Sequence, residues 1–245
     1  MNIKNYSKDD LDNILSVKGN SLYSDAFKRL LKNRASLISL IILSLIALLS
    51  VFGPYFLQYD FYETDWNSIY LPPSIESGHY FGTDGNGRDL LVRILYGGRL
   101  SLSIGIIATL VSVIIGVTYG TIAGYFGGKL DTIMMRIVEI LYAMPYLIFV
   151  IILMVVFGRN IYLLFLAIGA VEWLTMARIV RSQVMSLSKQ EFVMAAEAMG
   201  VSKVGIIFNH LIPNAIGPVI VYATLTVPQI MLLEAFLSFL GLGVQ

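Results

Sequence analysis

The chain has 245 residues, of which 57% are hydrophobic and only 13% charged, and its mean hydropathy is +0.76. Soluble domains carry about 25% charged residues, so this composition excludes a single soluble core and points to a protein that crosses a membrane several times. The net charge of +1 gives no global field for nucleic acid, and the absence of cysteine excludes disulfides, thiol catalysis and cysteine-ligated metal.

Residues 1–34 form a polar segment rich in lysine and arginine. Its last part, 21–34, predicts a basic amphipathic helix with Leu22, Ala26, Phe27 and Leu30 on one side, suited to an anionic membrane surface. Residues 35–57 are apolar and long enough for a first span, since about 20 residues cross the hydrocarbon layer. The basic flank before it places the N-terminus in the cytoplasm. Residues 58–99 then form an outer loop carrying Asp60, Glu63, Asp65, Glu76, Asp84 and Asp89. Its stretch from Gly82 to Asp89, GTDGNGRD, is glycine-rich and turn-forming. A calcium loop is excluded there, because the bidentate glutamate it needs at its twelfth position falls on Leu95.

Residues 100–125 read as the second span. Gly116, Gly120 and Gly124 recur every fourth position along one helix face, where another helix can pack closely. Residues 123–130 narrowly miss a phosphate-binding loop: Gly128-Lys129 is present, but the first glycine is absent and Leu130 replaces the hydroxyl residue. Residues 131–157 read as a third span, kinked at Pro145, with Glu139 three positions after Arg136 and able to face it. A short outer turn at 158–160 leads to a fourth span, 161–179, which contains Glu172 and ends near Arg178 and Arg181. A fifth span, 216–240, contains Pro218, Pro228 and Glu234.

Between the fourth and fifth spans lies a polar loop, about 182–215. Strong helix formers run from Glu191 to Met199, and Gly200 suits a C-terminal cap. Ser202 suits the N-cap of a second short helix, and Pro213 is expected to limit how far that helix runs. The predicted result is a helix–turn–helix elbow, and Ala195, Ala196 and Ala198 would let another surface approach its backbone.

Carboxylates inside a span cost about 2.5–3.5 kcal/mol, so Glu139, Glu172 and Glu234 must each face protein or water. Glu172 and Glu234 are candidates for a translocation path, with bonding to neighbouring helices as the alternative. Pairing with Arg136 favours a structural role for Glu139. His79 and His210 belong to opposite sides of the membrane and form no metal pair, and no catalytic or metal-ligating constellation is legible.

The pattern Ala195-Ala196, Gly200 and Ile212-Pro213 resembles the cytoplasmic loop of membrane-spanning subunits of ABC importers. The family's glutamate before the two alanines falls on Met194, with Glu191 and Glu197 close by. The outer GTDxxGRD and the tail LSFLGLGVQ resemble the oligopeptide, dipeptide and nickel branch of those permeases, although His79-Tyr80-Phe81 departs from its usual His-Pro-Leu. The resemblance implies an all-α polytopic bundle, with a cytoplasmic segment at 1–34 and a permease domain at 35–245. Five spans are visible, and a sixth that the family usually has is missing from the sequence. It further implies that Glu191, Ala195, Ala196, Glu197, Gly200 and Pro213 couple to an ATPase. Implied partners are a homologous second permease, two cytoplasmic ABC ATPases that hold the ATP and magnesium, an external solute-binding lipoprotein and membrane lipid. This chain would carry no cofactor and would reside in a bacterial or archaeal cytoplasmic membrane, importing short peptides. Two alternatives are a permease for nickel or another chelated metal, and a non-transporting scaffold that recruits a cytoplasmic ATPase or enzyme.

Overall fold

The computed structural model of the protein describes residues 22–157 and 161–241, so the segment 1–21, the turn read at 158–160 and the last four residues of the tail lie outside the described residues. The described residues are organised almost wholly by helices, with a single isolated bridge between Thr83 and Asp89. Helix α1, Leu22–Lys32, stops two residues before the end expected for the basic helix. Asn33 intervenes, and its side chain accepts from the backbone N–H groups of Ala35 and Ser36, capping α2, Arg34–Phe52. A short 3₁₀ turn, Gly53–Phe56, extends α2 with proline in its first turn, where the missing N–H is harmless.

Helix α3, Leu90–Phe126, begins ten residues before the expected start of the second span. The Asp89 carboxylate caps it by accepting from the Val92 N–H at 2.9 Å. Arg93, which reads as a loop residue, lies instead within the helix, over the Phe61 ring and 3.7 Å from Asp84. The expected third span is two helices, α4, Gly128–Ala143, and α5, Tyr146–Phe157. They meet at a 78° bend, because Met144 is extended and Pro145 supplies no N–H to continue the ladder. Helix α6, Ile161–Leu187, continues eight residues beyond the expected end at Ile179. After the elbow helices α7, Glu191–Ala198, and α8, Lys203–Ile206, a π-helical turn, Ile207–Leu211, runs directly into α9, Ile212–Phe239. Pro213 therefore does not limit the second elbow helix. It occupies the first turn of α9, where proline is tolerated, and the elbow is continuous with the last span.

Among the described residues, α2 with its 3₁₀ turn, α3, and the unit from α8 through α9 are long and apolar enough to cross a membrane, and α4 with α5 makes a fourth if the bent pair is one span. The α2 window is only 6% buried, so most of its apolar side chains face outward, as a lipid-facing helix requires, and buried Ser50 marks where it meets α3 at Gly98.

Helices α3 and α6 pack along each other, and α9 lies across both. The glycine stripe sits in that seam. A Cβ at Gly116 would come within 2.5 Å of the Met176 side chain, and one at Gly124 within 2.7 Å of the Arg181 carbonyl oxygen. At Gly120 it would collide with the Ala177 carbonyl. Only glycine permits this approach of the two backbones. Apolar contacts fill both ends of the seam. Ile104, Ala108, Val150, Ile168, Ile230 and Leu237 form one cluster, and Met176, Val180, Val184, Ile206 and Leu211 belong to a second beside the elbow.

Candidate coupling elbow and intramembrane cavity

The elbow is built by ordinary capping chemistry. Gly200 has φ +79°, the Val201 N–H donates to the Ala196 carbonyl at 3.1 Å, and the Gly200 N–H donates to the Glu197 carbonyl at 3.0 Å. These two bonds form a Schellman cap, which satisfies the last carbonyls of α7 and turns the chain. The Ser202 hydroxyl accepts from the Gly205 N–H at 3.2 Å and starts α8.

Helix α7 has two faces. Val193 and Ala196 are buried in the second cluster, against the ends of α6 and α9. Glu191, Ala195, Glu197 and Gly200 are exposed, as is Pro213 at the start of α9. Beside them stand exposed apolar side chains, Met199 at 77% and Phe208 at 61% exposure, with Phe192 and Val204. Of the three alanines read as contact positions, Ala195 and Ala198 are exposed and Ala196 is buried. Glu197 accepts a hydrogen bond from the Tyr125 hydroxyl at 3.2 Å, which ties the elbow to the end of α3.

A cavity of about 440 Å³ opens at the α4–α5 bend. Its polar lining is Tyr142 from α4, Glu172 and Thr175 from α6, and Tyr222 and Gln229 from α9, and Leu141, Met144 and Val171 contribute apolar wall. Glu172 is partly buried and pairs with no described cation. Glu234 lies elsewhere. It is 5% exposed, accepts from the Ser101 hydroxyl at 2.8 Å, and does not line this cavity. Glu139 stands 3.4 Å from Arg136, both exposed.

Thr175, Tyr222 and Gln229 escaped the sequence reading. Thr175 is three positions after Glu172, and Tyr222 and Gln229 are seven apart, so each pair shares a helix face. That signal was available, but only tertiary structure shows that the two faces meet.

The glycine-rich stretch 82–89 is a knot that seats the start of α3. Asp84 accepts from the backbone N–H groups of Asn86 and Arg88 at 2.8 and 3.0 Å and from the Arg88 side chain at 3.0 Å. Burial acts to raise its carboxyl, but these bonds and the Arg88 charge outweigh it and hold Asp84 below the ordinary carboxylate range. His79 and Asp89 are both buried and lie 2.9 Å apart, and Tyr59 stacks on the imidazole with ring centroids 4.0 Å apart. Thr83 is buried and its hydroxyl donates to the Ser68 carbonyl while accepting from the Leu71 N–H.

The sequence signature of the family described as "binding-protein-dependent transport system inner membrane component" matches residues 116–245, more than half of the chain. The chain belongs to that family. Residues 21–73 also match the signature of the "N-terminal TM domain of oligopeptide transport permease C". Among curated relatives, an oligopeptide transport system permease protein OppC of Haemophilus influenzae is 51% identical over 94% of this chain and 74% of the relative. The OppC of Escherichia coli K12 is likewise 51% identical, over 94% of this chain and 76% of that protein. A dipeptide transport system permease protein DppC of Bacillus subtilis is 44% identical over 94% of this chain and 72% of its own length. As a member of this permease family, the chain is a membrane transport component, and its elbow and cavity are to be understood in that setting.

Proposed function

We propose that the chain is the membrane-spanning subunit of an ATP-driven importer that moves short peptides delivered by an external solute-binding protein. The observation that carries the reading is the two-faced elbow. Its inner face is locked into the ends of α6 and α9, and its outer face offers Ala195, Met199 and Phe208 to a partner. A partner that shifts the elbow moves two of the three helices that supply the polar lining of the cavity. The peptide solute follows from the names of relatives that are 44–51% identical over nearly the whole chain.

In this reading the N-terminus and the elbow face the cytoplasm. Two ABC ATPases grip this elbow and that of a homologous second permease, and they bind the ATP and magnesium. ATP binding favours one of two packings of the helices, hydrolysis restores the other, and the cavity is exposed to each side in turn. Glu191, Ala195, Glu197 and Gly200 serve the docking, with Ala196 and Pro213 setting the frame behind them.

The test is uptake by the complete importer in proteoliposomes. Ala195→Trp is expected to abolish stable ATPase association and uptake, because the exposed alanine leaves no room for an indole at a close contact. Full assembly and uptake by that variant would reject the docking role. Competition of labelled-peptide uptake by short peptides but not by nickel is expected, and the reverse would move the chain to metal import. An assembled complex that takes up neither solute would favour the scaffold.

A further inference from the structure

We propose that the cavity at the α4–α5 bend is a transit site for a primary ammonium group, with Glu172 as the residue that takes the positive charge. The proposal rests on the reading of the chain as an importer subunit and gives that function a place in the membrane. Its volume of about 440 Å³ falls within the roughly 300–1,000 Å³ of small-molecule sites. Among the residues that line it, Glu172 is the one carboxyl residue, and there is no lysine, arginine or histidine. The other polar groups are the hydroxyls of Tyr142, Thr175 and Tyr222 and the amide of Gln229, each of which has an oxygen that accepts hydrogen bonds. An ammonium group has three donors and no acceptor, so it matches this lining in both charge and hydrogen-bonding sense.

The α6 cations that follow Glu172 are engaged by other groups. The Arg178 guanidinium lies over the ring of Tyr142, itself a lining residue, 4.2 Å from the centroid, and Arg178 does not line the cavity. Arg181, further along α6, is held by Asp131. A carboxylate withdrawn from bulk water is stable only where protein or water compensates it, and a passing cation supplies that compensation. Because the lining comes from α4, α6 and α9, movement of the elbow alters the site directly, as a transit site requires and a permanent store does not.

The absence of native cysteine makes the site testable with a single introduced thiol. Leu141→Cys places it on the apolar wall of the cavity. In the assembled importer in proteoliposomes, this thiol is treated with 2-aminoethyl methanethiosulfonate, which carries an ammonium group, or with the anionic 2-sulfonatoethyl reagent. The ammonium reagent is expected to be favoured over the anionic one, relative to a thiol on the exposed outer loop. Adding Glu172→Gln is expected to reduce that preference about fivefold or more, and Glu172→Asp to restore most of it. A preference unchanged by Glu172→Gln, or an introduced cavity thiol that neither reagent reaches, overturns the site. Uptake identifies the source of the ammonium group. Selective loss of trialanine uptake in Glu172→Gln assigns the peptide α-amino group, and selective loss of N-acetyl-Ala-Lys-Ala uptake assigns a lysine side chain. A loss no greater than for N-acetyl-trialanine overturns the proposal. The thiol chemistry does not depend on transport, so failure of the wild-type importer to take up any peptide would reject the importer reading while leaving the labelling result to judge the site.

Discussion

Arg181 on α6 holds Asp131 in the first turn of α4 through two parallel hydrogen bonds, Nε to Oδ1 and Nη2 to Oδ2. The residues are 50 positions apart, and the pair pins α4 to α6 at the end of the bundle nearest the elbow. The Asp131 side chain is only 11% exposed and Arg181 31%, so solvent weakens the interaction only in part. Asp131→Asn is expected to destabilise the permease by about 1.5–3 kcal/mol, the usual worth of hydrogen bonds to a charged group. Arg181→Lys keeps the charge but loses the planar fork, and should give a smaller drop. Thermal unfolding of the purified assembly measures both, and an unchanged midpoint for Asp131→Asn would show that the pair contributes nothing.

The glycine stripe gives a second expectation with its own control. A methyl group at Gly120 would strike the Ala177 carbonyl and stand 2.9 Å from the Val180 Cβ. Gly120→Ala should therefore cost about 1–3 kcal/mol through overpacking. At Gly217 on α9, a Cβ would meet nothing within 4 Å. Gly217→Ala should be neutral or stabilising by up to about 1 kcal/mol, because alanine prefers the helix. Equal losses at the two sites, read from unfolding midpoints and membrane yield, would contradict the packing account.

These cases show what the sequence could and could not reveal. Local chemistry was legible: the four-residue glycine spacing, the Gly200 and Ser202 caps, and the break at Pro145 all act within one or two turns of chain. The start of α3 is not legible because Arg93 and Arg99 read as loop residues. Asp89 directly before an apolar run was the cap signal that competed with them, and the ring of Phe61 and the carboxylate of Asp84 accommodate Arg93. Pro213 reads from sequence as the limit of a short helix, whereas its position in a first turn makes it a helix starter. Relationships across the fold were not legible. Nothing near Asp131 names Arg181, nothing near Glu234 names Ser101 133 positions away, and the cavity exists only where α4, α6 and α9 converge.

The elbow cap supplies a third expectation. Gly200 has φ +79°, yet a Cβ there would meet nothing within 4 Å, so the constraint lies in the backbone and not in crowding. Gly200→Val should cost about 1–2 kcal/mol locally and weaken ATPase capture, since a β-branched residue resists the left-handed conformation. Gly200→Asn, which tolerates that conformation, should retain most capture. Co-purification of the ATPase with each variant separates the outcomes, and equal capture by Val and Asn would show that the cap does not shape the docking face.

The glycine-rich knot should respond to acid through Asp84. Its carboxyl is held below its ordinary value of 3.8 when folded. A depressed folded value means that the carboxylate stabilises the knot fully above the unfolded value, and that this contribution fades as pH falls through the lower folded value. Residues 82–89 are therefore expected to remain protected from hydrogen exchange at pH 5 and to open only as pH falls below the ordinary carboxylate value, through the lower folded one, after correction for the intrinsic exchange rate. Asp84→Asn keeps a side-chain acceptor but has no charge to titrate. It should lower protection at pH 5 and remove the Asp84-linked step. A step of the same size and midpoint in the variant would assign the acid response to other carboxylates, and would leave the start of α3 seated by Asp89 and His79 alone.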